Sequence, residues 1–288
     1  MDKAKVNDVE LAYEVRGEGE PVLLIHGAMI ADALKPLWDH SLLGGYKVIR
    51  YHKRGYGEST GGPADIATHA RDAKALIDFL GIAPTHVVGH SAGGTTAMQL
   101  ASDAPDVVAS LCLLEPAIAA QIPSAAEVGR VLGAMVGILA EGNAERATDL
   151  FLRFVCGEDY RKSMSDNLPS DAWDQTLRNA ADVGWGDVGG VGEFMFSPEQ
   201  GAAISCPALV VLGGSSRDTG KPVLDELGIV IKEIDAFGEM VDRAKAWLPQ
   251  AEKVILAGVN HQMAFGYPDE VANAVAKFLA VHRPTVSA

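Results

Sequence analysis

Val22-Leu-Leu-Ile25, Leu111-Cys-Leu-Leu114 and Ala208-Leu-Val-Val-Leu212 are apolar at every position. Runs that short and uninterrupted suit strands buried on both faces of a parallel sheet. Lys47-Val-Ile-Arg-Tyr51, His86-Val-Val88 and Lys253-Val-Ile-Leu256 are further strand candidates. Residues 9–15 (VELAYEV) alternate instead, as a strand with one wet face should. Between these runs the apolar spacing turns helical. Ile66, Ala70, Ala73, Leu76, Ile77 and Leu80 share one face and stop at Gly81, and a second helix is expected over residues 95–101. Strand, helix, strand, helix over residues 22–114 predicts a parallel sheet covered by helices on both faces.

The rhythm changes after residue 116. Val128, Val131, Leu132, Met135, Ile138 and Leu139 mark one amphipathic helix, and Leu150, Phe151, Phe154 and Val155 a second. Ser170 is placed to cap a third helix carrying Trp173 and Leu177, and residues 184–192 read as a glycine-rich connector. Strands return near residue 208, and Val271, Val275, Phe278 and Leu279 mark a last helix over 268–281. The expected organisation is an α/β core of residues 1–116 and 204–288 with a helical insertion at 117–203. Residues 219–235 are longer than such a connection needs, and Gly228-Ile-Val-Ile231 could supply a short extra strand.

Composition narrows the partners. The 288 residues carry a formal net charge of -14, and no Lys/Arg cluster interrupts it, which argues against nucleic acid and anionic membrane. The first ten residues, MDKAKVNDVE, lack the apolar core of a signal peptide, and no 18-residue apolar run occurs. Cys112, Cys156 and Cys206 are an odd number without metal-ligand or disulfide spacing. A cytoplasmic protein without metal or other cofactor is expected, with a homodimer as one option for its assembly.

Val87-Val-Gly-His-Ser-Ala-Gly-Gly94 places Gly-x-Ser-x-Gly between a buried strand and a helix. That is the setting of a nucleophile elbow, in which glycines clear a tight turn and the serine hydroxyl stands exposed. A hydroxyl needs a base, usually a histidine oriented by a carboxylate. His261 suits this best among eight histidines, because it follows the last expected strand, and active sites of parallel sheets gather at carboxyl ends of strands. His90 adjoins Ser91 on the elbow and His86 begins a strand at the wrong end.

With these residues in view the chain resembles the α/β-hydrolase superfamily over nearly its whole length. The resemblance rests on His26-Gly27, Arg54-Gly-Tyr-Gly-Glu-Ser59, Gly89-His-Ser-Ala-Gly93 and His261 before the last helix, in that order. It implies an eight-stranded, mostly parallel sheet with helices on both faces and a helical cap inserted after the sixth strand, where 117–203 falls. The chain departs at His52, where members often have Asp, a position that supports the loop.

Two acids compete. Many members carry the acid after the seventh strand, as Gly-x-x-Asp. Here Asp218 lies five residues beyond Gly213, and the usual position falls on Ser216 or Arg217. In haloalkane dehalogenases and some lactonases the acid follows the sixth strand instead, which resembles Glu115, 24 residues after Ser91 (115 − 91). Glu115 ends an apolar run, where a carboxylate is costly unless paired. Glu115 is the favoured acid and Asp218 the alternative.

For the oxyanion, one donor is the N–H of the residue after the nucleophile, Ala92; by resemblance the other is Ala28, with His26 bracing the loop. Met29, Phe154, Trp185 and Met263 are expected pocket residues and favour an apolar substrate. The function expected is a serine hydrolase cleaving an ester or lactone of a mainly apolar small molecule through an acyl-enzyme on Ser91. Carbon–carbon (diketone) hydrolysis, cofactor-free perhydrolysis and a non-turnover small-molecule receptor are the alternatives.

Overall fold

The computed structural model describes residues 1–231 and 234–282. Residues 232–233, within the long 219–235 connection, and 283–288, the end of the expected core, lie outside the described residues. Eight strands form one sheet: β1 (Asp2–Val6), β2 (Val9–Arg16), β3 (Glu20–Ile25), β4 (Tyr46–Tyr51), β5 (Thr85–His90), β6 (Val108–Leu114), β7 (Ala208–Gly213) and β8 (Glu252–Leu256). Their order is β1-β2-β4-β3-β5-β6-β7-β8. Only β2 runs against its neighbours, and the pairs from β4 to β8 are parallel.

Period-two alternation along the central strands divides the interior into two cores. Leu23, Ile25, Val87, Leu111, Leu113 and Val210 point to one face. Val22, Leu24, Val88, Cys112, Leu114 and Val211 point to the other. Helices Ile66–Leu80, Ala92–Asp103 and Ala236–Trp247 cover the first face through Leu76, Ile77, Met98, Leu100 and Val241. Helix Pro268–Val281 covers the second through Val271, Val275, Phe278 and Leu279. β7 is buried at every residue, as its unbroken apolar run requires, and so is β5, although it carries Thr85, His86 and His90.

Between β6 and β7 the chain is built from helices, including Ala125–Ala140, Ala144–Cys156, Ala172–Asn179 and Trp185–Glu193. Four local expectations need correction. β1 escaped notice because only Ala4 and Val6 of its five residues are buried. The cap of Ala172–Asn179 falls on Asp171, not Ser170, and neither supplies a side-chain hydrogen bond there. Residues 228–231 form no strand. Helix Lys221–Leu227 ends at Gly228 in a left-handed conformation, and Ile229 and Ile231 then pack with Val131, Met135 and Leu150 away from the sheet. The glycine-rich 184–192 stretch is helical over Trp185–Glu193, although each interior glycine costs about 1 kcal/mol relative to alanine.

Tertiary contacts account for that helix. Asp187 is 1% exposed and receives Lys53 Nζ, the Tyr56 hydroxyl at 2.9 Å and His69 Nε2 at 3.0 Å. Lys53 follows β4 and His69 lies on Ile66–Leu80, so one buried carboxylate ties the insertion to the sheet and its covering helix. At Gly184 a Cβ would meet Met29 Sδ closely. The helix therefore sits where polar partners and close approach hold it, against its own propensity.

Burial alone would raise the Asp187 carboxyl, but the Lys53 charge and the His69 hydrogen bond outweigh it and hold the group below the ordinary range. Its charged form therefore stabilises the fold fully above the unfolded carboxylate's pKa of about 3.9, and that contribution is lost as pH falls toward the lower folded value. Urea unfolding at a series of pH values should show stability declining below about pH 4, and Asp187→Asn should flatten that decline. At neutral pH, Asp187→Ala leaves Lys53 buried without its counter-charge and should cost about 3–5 kcal/mol, whereas the Lys53→Met, Asp187→Leu pair should cost less.

Candidate active site

The parallel strands deliver their carboxyl ends to one edge. Gly89 of β5 pairs with Leu113 and His90 with Leu114 of β6, so the residues that follow, Ser91 and Glu115, leave the sheet side by side. Ser91 N–H donates to the Leu114 carbonyl at 3.0 Å and Glu115 N–H to that of Val211 at 3.0 Å, carrying the ladder across β5, β6 and β7. His261 comes from the loop after β8, next in the sheet order.

Ser91 has φ +55° and ψ −124°, a conformation that non-glycine residues rarely adopt. The surrounding glycines are steric requirements. A Cβ at Gly89 would collide with the Gly93 carbonyl, and one at Gly93 with the carbonyls of Ile25 and His26. The elbow is thus pressed onto the loop after β3. Ala92 is the first residue of helix Ala92–Asp103, so its N–H has no partner within that helix. Ala28 and Ala92 line one cavity together with Ser91 and His261.

Glu115 is fully buried with φ +43°. Its Oε2 accepts from His261 Nδ1 at 2.7 Å, and its Oε1 accepts from Gly213 N–H at 2.7 Å and from the Ser216 hydroxyl at 2.6 Å. With Nδ1–H directed at the carboxylate, the Nε2 lone pair of His261 is available to take a proton. Phe237 stacks on the His261 ring at 4.3 Å between centroids. Asp218 stands apart. It ends the short turn Ser216–Asp218, its side chain is 77% exposed, and it lies on the cavity rim facing Arg217 at 4.0 Å. The structure thus brings Ser91, His261 and Glu115 to one edge and leaves Asp218 outside that group.

His26 braces the loop. Its Nδ1–H donates to the Gly27 carbonyl at 2.8 Å and its Nε2 accepts from Lys53 N–H at 3.0 Å. Burial, with the nearby Lys53 and His52, holds this imidazole well below its usual pKa and keeps it neutral. His52 ties the neighbouring loop: Nε2–H donates to Asp32 at 3.2 Å and Nδ1 accepts from Glu58 N–H at 3.1 Å.

The cavity is about 590 Å³, a size that suits a small organic molecule. Val128, Leu132, Phe151, Phe154, Val188 and Val191 from the inserted helices form one wall, and Leu224, Ile229 and Ile231 from the long connection after β7 another. Arg217, Asp218, Lys221 and Asp225 give it one polar rim. Of the expected pocket residues, Phe154 lines it. Met29 and Met263 are fully buried in the second core instead, and Trp185 packs edge-on against Phe151 behind the wall. Asn179 Nδ2 donates to the Met29 carbonyl at 2.9 Å, and the Met29 thioether lies against Gly184. Among the described residues no group of three or more His, Cys, Asp or Glu side chains is arranged to hold a metal ion, and no helix is long and apolar enough to cross a membrane.

The family model for the alpha/beta hydrolase fold matches residues 20–187. The chain belongs to this family. The sn-1-specific diacylglycerol lipase ABHD11 of Mus musculus is 26% identical over 247 residues, 82% of this chain and 72% of that protein. Against the RutD proteins of Azorhizobium caulinodans and Variovorax paradoxus the chain spans 44% and 41% of the relative's length. A thermophilic esterase from Thermogutta terrifontis is similar in structure at a TM-score of 0.72 and 24% identity, covering 98% of this chain and 100% of that one. An enol-lactonase from Burkholderia xenovorans LB400 has a TM-score of 0.72 at 23% identity, covering 97% and 100%. At such identities both structures speak for the alpha/beta hydrolase fold alone.

Sequence reasoning missed Ser216, Phe237 and the contribution of residues 221–231. Ser216 did carry a signal: with Arg217 it is one of the two positions where the resemblance puts the more usual acid, and here it donates to Glu115 from the neighbouring strand. Glu115→Gln keeps the shape but loses the charge that selects the Nδ1–H tautomer. It should lower kcat by about 10³–10⁴-fold in an ester assay, while Asp218→Asn should stay near wild type. Ser216→Ala removes one hydrogen bond to a charged group and should lower kcat about tenfold.

Proposed function

We propose that the protein is a serine hydrolase that cleaves an ester or lactone of a mainly apolar small molecule through an acyl-enzyme on Ser91. The observation that carries this reading is the 2.7 Å pair between buried Glu115 and His261, whose ring faces the same apolar cavity as Ser91. In this reading Ser91 Oγ attacks the carbonyl carbon while His261 Nε2 takes its proton. The imidazolium that forms is stabilised by Glu115 through Nδ1–H, and returns the proton to the leaving alcohol. The N–H groups of Ala28 and Ala92 receive the developing oxyanion, an arrangement that contributes several kcal/mol in acyl transfer. The helices between β6 and β7 act as a cap whose apolar wall selects the acyl chain. The similar proteins include a lipase, an esterase and a lactonase, which supports carbonyl-ester chemistry. Cys112, Cys156 and Cys206 are all free thiols, which supports a reducing, cytoplasmic setting.

Hydrolysis of p-nitrophenyl esters of graded chain length, with lactones and diketones alongside, tests this. Wild type should turn over esters or lactones with kcat/KM rising as the acyl chain lengthens to fill the cavity, and Ser91→Ala should lose at least about 10³-fold. Binding of these compounds with no turnover would identify a receptor instead, and turnover restricted to diketones a carbon–carbon hydrolase.

A further inference from the structure

Beside the main cavity lies a smaller chamber of about 30 Å³, bounded by Gly27, His90, Ser91 and His261 and closed by apolar side chains such as Ile30 and Phe265. His90 is the residue between the glycine and the serine of the elbow, and the chemistry described above makes no use of it. Its Nε2 lies 2.9 Å from the His261 carbonyl oxygen, which can only accept, so Nε2 carries the hydrogen. Burial, and then the neighbouring His261, holds the His90 ring well below the usual imidazole pKa, so it is neutral and Nδ1 is left with a lone pair. Nδ1 is buried and has no hydrogen-bond partner within the protein. It faces the space beside Gly27, where a Cβ would lie 3.6 Å from Nδ1 and 3.0 Å from Ser91 Cβ. A buried acceptor without a partner is uncommon in folded proteins and calls for a donor. The chamber exceeds the roughly 10–15 Å³ that one water needs.

We propose that this chamber is the seat of the hydrolytic water for deacylation, held by an O–H donated to His90 Nδ1. The inference rests on the acyl-enzyme reading. Once Ser91 is acylated, the acyl chain occupies the main cavity, and the side chamber remains a space adjoining both Ser91 and His261 that also holds the unpartnered acceptor of His90. The water oxygen attacks the ester carbon and its proton passes to His261 Nε2. The tetrahedral intermediate then collapses, the bond from carbon to Ser91 Oγ breaks, Oγ takes the proton back from His261, and the carboxylic acid leaves. His90 acts here as a positioning residue for the water.

Two substitutions separate this role from that of holding His261. Gln reaches the Nε2 position and can keep the bond to the His261 carbonyl while removing the acceptor at Nδ1. Asn supplies an acceptor near Nδ1 and loses the His261 contact. The assay is pre-steady-state release of p-nitrophenol from p-nitrophenyl acetate, together with the rate at which a fluorophosphonate probe labels Ser91. For His90→Gln the expected result is a burst of one p-nitrophenol per enzyme and a labelling rate equal to wild type. Its following steady rate should fall about tenfold, the order of one lost hydrogen bond. His90→Asn, compared by steady rate divided by labelling rate, should deacylate faster than His90→Gln. A wild-type steady rate in His90→Gln overturns the proposal, as does a parallel fall of labelling and turnover in both variants, which would mark His90 as a support for His261 only. If mass spectrometry finds Ser91 unmodified in probe-treated wild type, the acyl-enzyme reading itself fails and takes this inference with it.

Discussion

A carboxylate with no exposed surface sits at the carboxyl end of β6, and the arrangement of the surrounding loops follows from satisfying it. Moving such a charge out of water costs several kcal/mol unless hydrogen bonds replace its hydration. Glu115 finds them in three places at once: the backbone of Gly213 at the end of β7, the hydroxyl of Ser216 in the turn beyond, and the imidazole of His261 after β8. The same contacts that make burial tolerable set the orientation and tautomer of His261. An acid on β6 therefore needs β7 to supply donors, and the β7 loop has become a brace for Glu115.

A second buried carboxylate does similar work on the other side of the site. Asp187 gathers Lys53, Tyr56 and His69 around a glycine-rich helix that has little intrinsic reason to form. That helix contributes Val188 and Val191 to the cavity wall. Two solvent-excluded carboxylates, Glu115 hydrogen-bonded to His261 and Asp187 ion-paired with Lys53, thus hold this edge and the apolar wall in register. Such pairs add less to net stability than their Coulomb attraction suggests, but removing one partner is costly, so they favour one arrangement over looser packings.

Strain concentrates at the same edge. Ser91, Glu115 and Met29 all carry positive φ without being glycine. They follow or lie just beyond β5, β6 and β3, where the chain must turn sharply out of the sheet. The glycines at 89 and 93 let the elbow approach the β3 loop closely enough for Ala28 and Ala92 to border one cavity. The largely buried strands beneath supply the support that such conformations require.

Local pattern determined a good deal by itself. Unbroken apolar runs announced β3, β6 and β7, because a strand buried on both faces has no position to spare for polar side chains. Glycine spacing around Ser91 marked the elbow, since steric clearance in a tight turn is a short-range demand. Glu115 is the favoured acid because it ends an apolar run, where a lone carboxylate is costly, and because its separation from Ser91 resembles that of haloalkane dehalogenases and some lactonases. Only the tertiary structure decided what depends on distant partners. Trp185–Glu193 reads as a connector until Lys53 and His69 meet Asp187 from more than a hundred positions away. Met29, Trp185 and Met263 look like pocket residues until packing turns them into the core. Ser216 looks like a missing acid until it is seen donating to Glu115, and His90 like a mere neighbour of the serine until its ring is found buried against His261. Burial and hydrogen-bond satisfaction are properties of the assembled interior, and no window of local sequence contains them.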